Sequence, residues 1–115
     1  MDAEKLAALK AELKAKHGPD VLIVKVSDGR VFAFRKAGSA DWRKHKAAMM
    51  GIVAGRTVEA AAANELAARS LCVYPPDAGV SFDALRDEAP DLADQIGAAL
   101  IGKVGSHLEA SLGEA

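Results

Sequence analysis

The stretch from Val21 to Lys36, "VLIVKVSDGRVFAFRK", decides the fold. Two runs of β-branched and aromatic residues flank Ser27-Asp28-Gly29-Arg30, and such side chains suit a pleated surface. Asp-Gly is favoured at the centre of a two-residue type I′ hairpin turn, where both residues need positive φ. With Asp28 and Gly29 at that centre, Leu22, Val24 and Val26 share a face with Val31, Ala33 and Arg35. Val21, Ile23 and Lys25 then share the other face with Phe32, Phe34 and Lys36. Both faces are largely apolar, so alternation does not say which one is buried. A two-stranded hairpin is only marginally stable in water. This one is therefore expected to pack on a helix or on another subunit's hairpin.

Outward from the hairpin the sequence reads as helix. Leu6, Leu9 and Leu13 recur at helical spacing and predict a helix over 2–16, inside an N-terminal segment 1–17 that Gly18-Pro19 stops. Downstream, residues 39–112 form the helical part. Ser39 is placed to cap a helix over about 40–53, with Trp42, His45 and Met49 on its apolar stripe. Thr57 is placed to cap 58–72. "LCVYPPDAGVSFDAL", residues 71–85, reads as a helix end and a loop stiffened by Pro75-Pro76, then a restart at a Ser81 cap over 82–88. Pro90 suits the first turn of a last helix running to about 112. Leu92, Ile96, Leu100, Val104 and Leu108 form its apolar row. Gly97, Ala98, Gly102 and Gly105 form a second, small-residue row, which implies close approach to another helix, within the chain or between chains. The expected fold is α+β and mainly α-helical: one domain over 1–115, with the 21–36 hairpin packed among four to five helices.

Composition narrows the function classes. Of 115 residues, half are apolar, but only five are Phe, Trp or Tyr, so the core must be thin and built from close contacts. One cysteine excludes an intramolecular disulfide and any multi-cysteine zinc site. No stretch approaches the roughly 18 apolar residues of a membrane span, and the N-terminus carries no signal-like apolar run. A cytoplasmic protein is expected. Net charge is −1, but residues 1–46 carry +5 and residues 47–115 carry −6. That asymmetry fits solvated helix faces, a basic interaction face, or attraction between halves or subunits.

Catalytic chemistry finds no constellation. Cys72 has no sequence-local base, and His17, His45 and His107 fall in separate elements. Asp83, Asp87, Asp91 and Asp94 are spaced for one helix side, but Pro90 breaks it, so they read as solvated acids. Phosphate-cradling glycine motifs are absent. An enzyme is not expected, nor a metal or cofactor. "DWRKHKAAMM" places Arg43, Lys44 and Lys46 near Arg35 and Lys36, but the chain carries no helix-turn-helix or RNA-binding signature, so nucleic acid is not the expected partner.

The stretches Asp28 to Lys46, with Phe34-Arg35 before a capped Asp41-Trp42 helix start, and Glu65 to Leu100, with Val73-Tyr74-Pro75 and Phe82 to Leu85 before a Pro90-led helix, together resemble phage tail assembly chaperones, small proteins encoded upstream of the tape-measure gene in long-tailed phages and phage-like elements. The first is "DGRVFAFRKAGSADWRKHK", where Phe34-Arg35-Lys36-Ala37 leads into the Ser39 to Lys44 helix start. The second is "ELAARSLCVYPPDAGVSFDALRDEAPDLADQIGAAL", where Leu71 to Pro75, Phe82 to Leu85 and Pro90 to Leu100 follow that family's order. The resemblance implies a non-enzymatic chaperone that binds and shields the tape-measure protein until tail-tube subunits replace it, and that self-associates around its client. Phe32, Phe34, Arg35, Trp42, Arg43 and Met49 are the candidate client or self-association surface. The alternatives are a structural tail-completion or connector component and a small nucleic-acid-binding regulator.

Overall fold

A computed structural model describes residues 2–52 and 55–105. In chain order the elements are α1 (Ala3–His17), β1 (Leu22–Lys25), β2 (Val31–Phe34) and α2 (Ser39–Met49). A single 3₁₀ turn, Met50–Ile52, follows. The chain then continues through α3 (Thr57–Ala61), α4 (Ala63–Leu71), β3 (Cys72–Tyr74), α5 (Ala78–Glu88) and α6 (Pro90–Gly102). The fold is α+β and mainly helical, as the sequence implies. His107, Leu108 and the expected helix end near 112 lie outside the described residues.

The hairpin forms one residue out of the expected register. Val24 pairs with Phe32 and Leu22 with Phe34. The loop holds three residues rather than two: Gly29 donates to the Val26 carbonyl at 2.9 Å, and Val26 donates to that of Arg30 at 2.8 Å. Only Gly29 takes positive φ, at 96°, so a type I′ turn is ruled out. The Asp28 side chain instead accepts the Arg30 backbone N–H at 3.0 Å and closes the turn locally. A slip of one moves every partner to the other face. Leu22, Val24 and Val26 therefore side with Phe32 and Phe34, and Ile23 sides with Ala33.

A third strand, which the sequence reading treats as loop, completes the sheet in the order β1-β2-β3, antiparallel throughout. Residues 72–74 follow directly on α4, and Arg35 donates to the Leu71 carbonyl at 2.9 Å beside them. β2 is thus central, and all four of its residues are buried. On one face Phe32 and Phe34 meet Phe82 edge-on, with ring centroids 6.0 and 5.7 Å away, over a floor that includes Leu71, Leu85, Ile96 and Leu100. On the other face Ala33 and Val21 pack against Leu13, with Leu9 alongside. The hairpin therefore gains both a neighbouring strand and helical cover within its own chain.

Helix ends differ in detail from expectation. Asp2 caps α1 by accepting the Lys5 N–H at 2.8 Å, and Gly18, at φ 95°, ends it. Gly38, not Ser39, is the N-cap of α2; Asp41 reaches back to accept its N–H at 2.8 Å. The helix expected over 58–72 breaks at Ala62 (φ −93°, ψ 3°), which lets α4 lie on α6 while α3 leaves Val58 exposed. Ser81 is inside α5 rather than at its cap. That helix begins three residues earlier, and the Ser81 hydroxyl donates to the Asp77 carboxylate at 2.8 Å. α6 ends at Gly102, so Val104 lies beyond the helix that was to carry it.

The small-residue row of α6 is used at one position. A Cβ at Gly97 would overlap the Asn64 carbonyl of α4, whereas one at Gly102 would meet nothing. Close packing of α6 is therefore within the chain, at Gly97, with Ala93, Ile96, Leu100 and Ile101 buried around it. No helix among the described residues is long and apolar enough to cross a membrane.

Candidate partner-binding surface

The six candidate surface residues separate into three groups. Phe32 and Phe34 are 1% and 0% exposed, so they are core and not surface, which corrects the sequence reading. The physical reason is cover on both sides of a central strand: Phe82 and the helices close over Phe32 and Phe34, as Leu13 and Leu9 do over Ala33, so no face of β2 is left for a partner. Arg35 is held as a structural link. Its guanidinium donates to both Asp41 carboxylate oxygens at 3.2 Å and so ties the end of β2 to the first turn of α2. That ion pair, with the Gly38 N–H, holds the Asp41 carboxyl below the usual carboxylate range.

Trp42, Arg43 and Met49 do share an element and do face outward. All three lie on α2, which buries none of its residues. Its inner side, Asp41, His45 and Ala48, is half-buried. The helix is fastened there by polar contacts. The His45 ring meets the Asn64 side-chain oxygen at 2.6 Å, and Asn64 in turn donates to Asp94 at 3.2 Å. With its oxygen accepting, Asn64 requires His45 Nε2 to be the donor. This relay joins α2, α4 and α6, and sequence reading missed it because its members lie 19 and 30 residues apart.

Trp42, Lys46 and Met49 follow each other at spacings of four and three, so they form one stripe. Trp42 is 40% exposed, Met49 43% and Met50, in the next turn, 56%. Lys46 Nζ sits 5.0 Å from the centre of the Trp42 ring, a cation–π contact. On the other flank of α2, Lys44 borders a groove of about 250 Å³ shared with Ala63, Leu66 and Ala67 of α4. Lys46 and Met50 were not among the expected surface residues, though spacing alone places Lys46 beside Trp42 and Met49.

Elsewhere, polar groups are engaged structurally. Arg69 and Arg86 both hold Asp83, at 2.8 and 3.3 Å, and Arg86 also reaches Glu65, tying α4 to α5. These carboxylates do not gather into a ligand set; among the described residues no three His, Cys, Asp or Glu converge. Cys72 is a free thiol at the end of α4 that donates to the Tyr74 carbonyl at 3.3 Å. Burial pushes its pKa up to about 11, so it stays protonated at neutral pH. No protein-family model, curated protein or solved structure matches the chain.

Proposed function

We propose that this protein is a non-enzymatic tail assembly chaperone that binds and shields a tape-measure protein in the host cytoplasm. The observation that carries the reading is α2, an outward helix with no buried residue that displays Trp42, Met49 and Met50. The core is thin in aromatics, yet the chain's only tryptophan is left half in water. Exposed Trp and Met beside cations are typical of surfaces that bury a partner. A chaperone for long helices needs such a reversible apolar face and no active site. The resemblance at Phe34 to Lys44 and Leu71 to Leu100 supplies the client's identity and the tail-tube subunits that displace it. Self-association around that client belongs to the same reading.

The test is co-expression with a tape-measure protein, the long helical client that the resemblance implies. The expected result is a client that moves from the insoluble to the soluble fraction and co-purifies. An unchanged client, beside a strictly monomeric chaperone, overturns the reading. Retention of the protein in purified particles points instead to a structural tail component, because a chaperone leaves before completion.

A further inference from the structure

We infer that the outward face of α2 docks an acidic amphipathic helix. The chaperone reading above supplies the source of that helix, but its place and chemistry stand on geometry. Trp42, Lys46 and Met49 run along one stripe of α2, Met50 extends it, and Arg43 borders it. This is the spacing by which one helix anchors on another. Methionines adapt to irregular apolar partners, and Trp supplies a large rigid contact.

The charge pattern selects the partner. Arg30, Arg35, Arg69 and Arg86 each have a carboxylate partner within the chain. Arg43, Lys44 and Lys46 have none among the described residues, and all three are exposed. Four of the six arginines are thus neutralised within the fold, while Arg43 joins Lys44 and Lys46 to put three exposed cations on one short stretch of α2. Carboxylates flanking an apolar stripe would meet Arg43 and Lys46 while the stripe covers Trp42 and Met49. Nucleic acid fits less well. Lys46 already stands over the Trp42 ring where a base would stack, and the methionines offer phosphates nothing.

Trp42 is the only tryptophan, so its emission reports occupancy of this face directly. The probe is a stapled helical peptide with leucines on one face and glutamates flanking them. The control carries lysines in place of the glutamates. The glutamate peptide is expected to shift Trp42 emission to the blue, less so as salt rises, and the lysine peptide is not. In the doubly substituted Arg43→Glu, Lys46→Glu variant, affinity for the glutamate peptide should fall about tenfold or more. The same variant should gain the lysine peptide, a reversal that misfolding cannot produce. No shift with the glutamate peptide, or equal shifts with both peptides, overturns the proposal. So does preferential binding of duplex DNA, or a blue shift on concentrating the protein alone with a doubled mass.

The two readings fail separately. Client rescue without a peptide response removes the docking face and leaves the chaperone. A peptide response that reverses with charge, without client rescue, supports the docking face and removes the chaperone.

Discussion

Helices α2 and α6 are similar in length and differ in almost everything else. α6 buries Ala93, Ile96, Gly97, Leu100 and Ile101 and comes close enough to α4 that a single added carbon at Gly97 has no room. α2 buries nothing, and its inner side is held by the His45–Asn64–Asp94 relay and the Arg35–Asp41 pair. One helix is part of the core, and the other is mounted on it. The contrast teaches that apolar residues at helical spacing do not by themselves say what they face. Leu100 and Met49 both lie on apolar-leaning stripes, yet only the first is buried. Small residues on α6 let two backbones approach, so dispersion contacts accumulate there. Long charged side chains on α2 favour solvent on its outer faces.

Substitutions on the two sides of this contrast should separate by size of effect. The largest is expected at Phe82, which two phenylalanine rings contact edge-on and which is fully buried. Phe82→Ala should cost about 3–5 kcal/mol, read as a lowered denaturant midpoint. A loss below about 1 kcal/mol would mean that the sheet and α5 do not share one core. Next is the pair Gly97→Ala and Gly102→Ala. The first forces α6 away from Asn64 and should cost about 1–3 kcal/mol. The second enters open space and should be neutral or add up to about 1 kcal/mol of stability. Equal effects in calorimetry would break the account of α6 packing.

Asp41 tests how α2 is mounted. Its folded pKa lies below the unfolded value, so its contribution is present above the unfolded pKa, near pH 4, and is lost as pH falls through the folded one. Asp41→Asn should lower stability at pH 7 by less than about 1 kcal/mol, since the Arg35 side is solvent-screened. It should also flatten the loss below about pH 4 in acid titrations of stability. An unchanged acid limb would show that Asp41 is not one of the carboxylates coupled to folding. The smallest effects belong to the outward stripe. Trp42→Ala and Met49→Ala should each change stability by no more than about 0.5 kcal/mol. A larger loss by thermal melt would place those side chains in the core and remove the reason for assigning them to a partner.

Much of the molecule was legible in local pattern. The N-terminal helix, the two hairpin strands, the Gly18 stop and the Pro90 start all follow from propensity and capping chemistry, which act over a few residues. Half of the candidate surface was legible too, because Trp42, Arg43 and Met49 sit on a helix whose charges keep it outside. The other half was not. Phe32 and Phe34 became core because Phe82, Leu85 and Leu100, far along the chain, close over their side of a strand that is central rather than at an edge. β3 was illegible for a different reason. Three residues carry no alternation to read, and Cys72 to Tyr74 are a strand only because the edge of β2 lies beside them.

Residue order by itself therefore determined the element types other than β3, the thinness of the core and the absence of a second cysteine. It also determined the concentration of cations near Trp42. Tertiary structure alone decided the hairpin register, the third strand, which glycine of α6 meets a backbone and which aromatic residues remain in water. These are all choices between near-equivalent local states, separated only when distant groups such as Phe82, Asn64 and Leu71 arrive to fill or block the space.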